Sequence, residues 1–249
     1  MNIQAIKTHK ITGVDNDILA IIDKYVPSLS ENSILVVTSK IVSICEGNTI
    51  PLEKVNKEDL VISQADYYLP KETNTFQVTV TIKDNILAVN AGVDESNSSD
   101  GYVLWPKNPQ ESANKIRHHL VEKHKLKNIG VLITDSKTTP LRYGITGIGI
   151  THSGFLALNS YVGTPDIFGR ILKMTQVGVM DGIAAGAVVT MGEGANQTPL
   201  AIVTDIPFVQ FQDRNPTKEE LELLDINPET DVYGVVLQNA PWKKGKNCE

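Results

Sequence analysis

"NIGVLITDSKTTPLRYGITGIGITHSG", residues 128–154, decides the fold class. Its first part, "NIGVLITD", is a short run of mostly branched apolar residues ending at Asp135, which reads as a strand buried on both faces. Its last part, "GITGIGITHSG", reads as a further strand. The polar segment between them, "TDSKTTPLRYG" from Thr134, reads as a loop at the end of an apolar element.

Outward from this stretch, helices and strands mix along the whole chain. "SILVVTS" (33–39) is another short buried strand. "TFQVTVTI" (75–82) alternates Phe76, Val78, Val80 and Ile82 with polar residues, a half-buried strand, and "KDN" turns it into "ILAV" as a hairpin. "VDNDILAIIDKYV" (14–26) places Val14, Ile18, Ile21, Ile22 and Tyr25 on one helical face, with Thr12 or Asp15 as the N-cap. The sharpest helix start is "NPQE": Asn108 caps, Pro109 opens the first turn, and Glu111 completes the pattern. Its body carries Ala113, Ile116, Leu120 and Val121 at helical spacing. "RILKMTQVGV" (170–179) reads as a strand, and "DGIAAGAVVTMGEG" (181–194) as a helix of small apolar residues that breaks at Gly192 and Gly194. "TKEE" (217–220) opens a late helix by the capping-box pattern. The expected class is mixed α/β or α+β, with residues 1–249 forming one domain, in one body or two closely packed lobes. No internal repeat, low-complexity segment or linker interrupts it.

A chain of 249 residues with 41% hydrophobic and 21% charged residues has the composition of a soluble globular protein. Its net charge of −6 supplies no global basic field for nucleic acid or anionic lipid. Cys45 and Cys248 stand in no metal or redox spacing, which suits a reducing compartment. No stretch reaches the ~18 apolar residues of a membrane span. The expectation is a cytoplasmic protein without nucleic-acid or membrane partners.

Polar clusters stand where expected apolar elements end: Asp94 to Asn97 in "NAGVDESN", the segment from Thr134, and "MGEGANQTP" from Met191. Such loop positions are where scaffolds place function. Asp94, Asp135 with the Ser136 hydroxyl, and Glu193 are hard oxygen donors. That set suits Mg²⁺ or Mn²⁺ holding a polyphosphate, with phosphate and water completing the coordination. Two such ions are a common solution for phosphoryl transfer. Each cluster also has a plain reading: a turn or N-cap at Asp94 and Asn97, an Asx turn at Asp135, a glycine C-cap at "MGEG". Arg142 and Lys40 are the nearest positive groups in sequence to neutralise a triphosphate, ahead of Lys137 and Arg170; a surface ion pair is the plain reading of Arg142. There is no G-x-x-x-x-G-K-[ST], and "GITGIG" lacks the G-x-G-x-x-G order. His118, His119 and His124 lack zinc spacing and read as a helix face. On residues alone, a two-metal nucleotide phosphohydrolase and a nucleotide- or metal-binding protein without catalysis both remain open.

Taken in order, "VVTSKIVSICEG", "NAGVDESN", "GVLITDSKTTPLRYGITG" and "DGIAAGAVVTMGEG" resemble the coenzyme F420-0:γ-glutamyl ligase family over roughly residues 34–205. The resemblance implies an intertwined homodimeric α/β ligase with mixed and antiparallel sheets. Such an enzyme joins L-glutamate to a substrate carboxylate with GTP or ATP and two divalent cations, with K⁺ as a further cation. Carried onto this chain, Asp94 and Asp135 would ligate one metal, while Ser136, where the family has Thr, and Glu193 would hold the second. Ser39, Lys40, Asn97 and the loop Met191, Gly192, Glu193, Gly194, Ala195, Asn196, Gln197 and Thr198 would surround the nucleotide. Arg142 is the expected clamp on substrate or γ-phosphate, working with Asp94 and Asp135 as the catalytic set. The chain departs from the family at Ile44, where a nucleotide-contacting Lys is expected; Lys40 would share its face if the backbone is extended. It departs again at Thr139 and Tyr143, where the F420 enzymes carry Arg. That second departure looks like the bacterial branch that adds glutamate to a folate γ-carboxylate, so a folate-type acceptor is expected ahead of F420-0.

Overall fold

The computed structural model describes residues 1–99 and 101–247; Cys248 lies outside them. The first half runs β1 (Asn2–Ile6), α1 (Ile18–Tyr25), β2 (Ser33–Thr38), α2 (Ser39–Cys45), β3 (Thr49–Ile50), α3 (Lys57–Gln64), β4 (Tyr67–Leu69), β5 (Val80–Lys83), β6 (Ile86–Val89) and β7 (Tyr102–Val103). The second half runs α4 (Pro109–His124), β8 (Ile129–Thr138), β9 (Ile145–Ser153), β10 (Leu158–Ser160), β11 (Gln176–Gly178), α5 (Val179–Met191), β12 (Leu200–Thr204), α6 (Lys218–Glu222), α7 (Gly234–Asn239) and β13 (Lys243–Lys244).

The main sheet is five-stranded, in the order β1-β12-β2-β8-β9. Only β2 and β8 pair in parallel, from Ser33↔Ile129 to Thr38↔Thr134; the other neighbours are antiparallel. Both central strands are buried on two faces, which is why their sequences are unbroken apolar runs rather than alternating ones. Leu35, Val37, Ile129, Val131 and Ile133 face α1, α2 and α4. Ile34, Val36, Leu132, Ala201 and Val203 face α5. A second, antiparallel sheet (β13-β4-β5-β6) has its own core around Leu60, Val61, Ala65, Val93, Tyr102 and Leu104. Mixed and antiparallel sheets thus coexist, as expected. No helix among the described residues is long and apolar enough to cross a membrane.

Several helix starts follow the sequence. Asn108 accepts the Glu111 amide with Pro109 in the first turn, and Thr217 and Glu220 form the reciprocal capping box. The hairpin turn places Asp84 and Asn85 at φ 48° and 59°, the left-handed pair that matches strand twist. Other expectations need correction. Asp15 accepts the Thr12 amide and pairs with His9, so it is spent before the helix; Asp17 caps α1 instead, and Val14 stays exposed. Asn74 bonds both backbone groups of Val78, and Gln77 has φ 53°, so the chain bends and β5 starts only at Val80, leaving Phe76 in solvent. Asp166 accepts the amides of Phe168 and Arg170, folding "RILKM" into a loop, and only Gln176–Gly178 is strand. Lys40 and Ile44 lie in a helix, not an extended segment; they share a face because they are one turn apart.

β8 does not end at Asp135. Its parallel partner stops at Thr38, but β9 continues to pair with it out to Thr138↔Ile145, so the two strands leave the sheet as an arm. The register slips where Ile133 faces Thr151 but Thr134 faces Gly149, leaving Ile150 as a bulge. Asp181 at the start of α5 accepts the Gly149 amide at 3.0 Å.

Gly147 fixes how closely α5 lies on this hairpin, since a Cβ there would stand 2.3 Å from the Ala184 carbonyl oxygen. Gly147→Ala should therefore destabilise the chain by about 2 kcal/mol, read as a shift in the urea midpoint. His152 is wholly buried, edge-on to Phe155, and burial pushes its pKa down to about 4 although the charge of Glu220 opposes this. The unfolded chain therefore binds the extra proton between about pH 6.5 and 4. Stability should fall by about 3 kcal/mol across that window as pH drops. His152→Leu should flatten that dependence, checked by urea titrations at intervals across it.

Candidate active site

The parallel pairing of β2 with β8 brings the end of one beside the middle of the other. Ser39 and Lys40 open α2 directly after Thr38, and Asp135 follows Thr134, the residue paired with Thr38. β12 runs antiparallel to β2, so the loop preceding it, Met191 to Pro199, arrives at the same sheet end. Its base is tied down: the Pro199 carbonyl accepts the Thr38 amide at 3.0 Å, and the Gln197 carbonyl accepts the Thr8 amide at 2.8 Å. Inside the loop, the Thr198 hydroxyl donates to the Met191 carbonyl, and the Asn196 side chain accepts the Gly194 amide. Gly192 closes α5 at φ 78°, while Glu193, Gly194, Ala195 and Asn196 are exposed.

"NAGVDESN" supplies the second wall. Asn90, Ala91 and Gly92 all have positive φ, a sharp reversal that presses Gly92 against an aromatic ring. A Cβ on Gly92 would lie 2.1 Å from the Trp105 indole nitrogen, so no larger residue fits. Trp105 donates from that nitrogen to the Asp135 carboxylate, whose other oxygen accepts the Ser136 amide at 2.8 Å. Asp94 is fixed by paired backbone bonds to Val103, and its carboxylate accepts the Ser96 amide and hydroxyl. Lys40 donates to Asp94 at 2.7 Å and to the Ser96 carbonyl at 2.6 Å. The Asn97 amide reaches the Gly194 carbonyl at 3.4 Å and joins this wall to the α5–β12 loop.

Asp94, Asp135 and Glu193 feel one another and all feel Lys40. Burial, then the charge of Asp94, pushes the Asp135 carboxyl up, with the Ser136, Trp105 and Lys40 interactions opposing. Glu193 keeps solvent on one side, yet partial burial and the charges of Asp135 and Asp94 also push it up. At Asp94 burial again works against the carboxylate, but the Lys40 and Ser96 bonds outweigh it and hold the group below its usual range. Two carboxylates are thus disfavoured as anions around a single ammonium, a charge pattern that a further cation relieves. Among the described residues no three His, Cys, Asp or Glu side chains form a ready-made metal cluster. The donor set therefore fits hard cations that share their shell with phosphate and water, not a closed protein cage.

Not every expected residue gathers here. Ser136 is half-buried and alternates to the opposite face of β8 from Asp135. Arg142 is carried off by the β8–β9 arm: it is exposed at the tip, and its guanidinium has no partner among the described residues. Ile44 is buried, so of the two positions only Lys40 brings charge to Asp94. Two contributors were given no site role by sequence reasoning. Ser96 had a usable signal, since a hydroxyl two residues after Asp favours an Asx turn. Trp105 had none, because its link to Asp135 spans thirty positions. His118 and His119 face outward with Glu122 and Asp23, as a helix face should.

Comparison with known proteins places the chain in a family. The family described as F420-0:Gamma-glutamyl ligase matches residues 5–205. A coenzyme F420:L-glutamate ligase of Methanococcus maripaludis is 36% identical over 230 residues, covering 86% of this chain and 91% of that one. The enzyme of the same name from Methanocaldococcus jannaschii is 35% identical over 214 residues, covering 78% and 85%. One from Methanosarcina acetivorans is 32% identical over 195 residues, covering 72% and 76%. The matched span takes in Lys40, Asp94, Asp135 and the loop after α5 together, and the chain belongs to the F420-0:γ-glutamyl ligase family and is a ligase.

Proposed function

We propose that the protein joins L-glutamate through an amide bond to the carboxylate of a small-molecule acceptor, driven by GTP and two divalent cations, Mg²⁺ or Mn²⁺. The observation that carries this reading is the convergence of Asp94, Asp135 and Glu193 around Lys40. A carboxylate is a poor electrophile, so it needs activation before an amine can attack. In this scheme the acceptor carboxylate attacks the γ-phosphorus, nucleoside diphosphate leaves, and an acyl phosphate results. The glutamate amine then attacks the acyl carbon, inorganic phosphate departs, and the amine loses its proton.

Asp94 and Asp135 would hold one cation and Ser136 with Glu193 the other; bound there, the ions neutralise phosphate oxygens. Lys40 holds Asp94 and orients it, and is placed to exchange that contact for a phosphate oxygen. Ser39, Asn97 and the backbone from Met191 to Thr198 surround the nucleotide, with K⁺ as a further candidate cation. Residues 1–249 act as one unit in this reading, the smaller sheet supplying Asp94 and Trp105.

The relatives' names make F420-0 the first acceptor to test. Thr139 and Tyr143 on the arm favour a second, a folate-type γ-carboxylate, because they leave fewer cations for a phosphodiester tail. The arm tip also exposes Leu141, Tyr143 and Ile145, and the loop beyond β10 exposes Ile167, Phe168 and Met174. We read this apolar surface as the face of a homodimer, in which Arg142 serves the partner's site.

Asp94→Asn and Asp135→Asn should each lower amide formation by orders of magnitude while keeping the far-ultraviolet dichroism of the parent. Mn²⁺ at a hundredfold its Kd should stabilise the parent by about 2.7 kcal/mol and leave both variants unmoved in thermal melts. Mass spectrometry with GTP, Mn²⁺, glutamate and either F420-0 or a reduced folate should show one added glutamyl unit. Phosphate release indifferent to glutamate and acceptor would instead identify a phosphohydrolase. Tyr143→Asp should convert a dimer to a folded monomer in sedimentation velocity; an unchanged sedimentation coefficient counts against the apolar face.

A further inference from the structure

Trp105 also lines a cavity of about 740 Å³. Its lining includes Lys83, Gln64, Gln110, Lys137 and Asp84, so it sits between the β5–β6 hairpin, the start of α4 and the arm. Lys83 is the unusual member. It is 6% exposed, ends β5, and directs its ammonium to the Gln64 side-chain oxygen at 3.0 Å and over the Trp105 ring at 5.5 Å.

No carboxylate oxygen among the described residues lies within 4.0 Å of that ammonium. Asp84 and Asp66 act on it only at longer range, and burial lowers its pKa despite them. An ammonium carries three donors, and here a neutral amide takes one while an indole face takes part of the charge. Burying a charge without a counter-ion is costly, and an anion delivered by a ligand would relieve that cost. Arginine would offer a flat fork; lysine offers a point charge that fits a carboxylate oxygen from several directions. Lys137 reaches the same space from the arm and adds to the positive side, while Asp84 and Asp225 line it with the opposite sign. The indole ties the space to the acidic site, since Lys83 covers the ring that donates to Asp135.

We propose that this cavity is a substrate subsite in which Lys83 receives a carboxylate of one of the two organic substrates, L-glutamate or the acceptor. The names of the substrates rest on the ligase reading; the carboxylate site rests on the cavity itself. Lys83 is a binding residue here and takes no part in the phosphoryl step.

The test compares the parent, Lys83→Met and Lys83→Arg. Calorimetry with L-glutamate alone and with F420-0 alone, each on the full chain, should show one of them bound at least tenfold more weakly by Lys83→Met. Lys83→Arg should recover part of the loss, and the weakened ligand identifies the source of the carboxylate. Mg²⁺·GTP binding should be unchanged, and the melting temperature of Lys83→Met should equal or exceed the parent's, because a charge without a partner has been removed. A structural role for Lys83 predicts the reverse, a lower melting temperature with both ligands still bound. Unaltered affinity for both ligands in Lys83→Met, or no binding of either to the parent, overturns the proposal. Failure of the ligase reading looks different: no amide product in any mixture, with carboxylate binding and its loss in Lys83→Met intact.

Discussion

The pairing of β2 with β8 is the constraint from which the rest of the molecule follows. Two strands buried on both faces must have their backbone groups satisfied by each other and by outer strands, which fixes their register residue by residue. Because they run in the same direction, their C-terminal ends emerge together, Thr38 beside Thr134. Open α/β sheets bind ligands outside such ends, where the chain turns away and leaves side chains unpaired with core. β12, antiparallel to β2, delivers its leading loop to that same edge. The acidic gathering is therefore a product of sheet order. The remaining wall comes from the smaller sheet, held in place by one indole wedged between Gly92 and Asp135.

The gathering costs stability as built. Asp135 and Glu193 are both pushed away from their anionic forms, and among the described residues Lys40 is the ammonium coupled to all three carboxylates. Ala91, wholly buried with φ 49°, adds a backbone conformation that residues with a side chain seldom adopt. Concentrated charge and strained backbone in one place are the usual mark of a site shaped for a ligand rather than for folding. The core beneath is ordinary by comparison, a sheet with apolar helices on both faces and few polar intrusions.

Much of this was legible in the sequence, and the misses share a cause. Buried strands, glycine breaks and the Asn108 and Thr217 caps are local patterns, and the chain obeys them. Asp94, Asp135 and Glu193 stood out because carboxylates at the ends of apolar elements have no core to join. Failures occurred where a side chain a few residues away, or a neighbouring strand, competed with the local pattern. His9 drew Asp15 away from α1, Asn74 bent the strand at Val78, and β9 stretched β8 past Asp135. Lys40 and Ile44 share a face in either backbone, so that inference survived an incorrect secondary structure. Arg142 shows the opposite: adjacency in sequence to Asp135 meant little once the intervening residues became an extended hairpin.

That hairpin carries one last implication. Among the described residues no third strand pairs with the arm beyond the Ile150 bulge, anchored by Asp181, and Leu141, Arg142 and Tyr143 at its tip are exposed. Residues 139–145 can change character without disturbing the packing of the sheet beneath them. The molecule is thereby modular in an evolutionary sense: one packed scaffold can acquire new surface chemistry by rewriting a few solvent-facing positions.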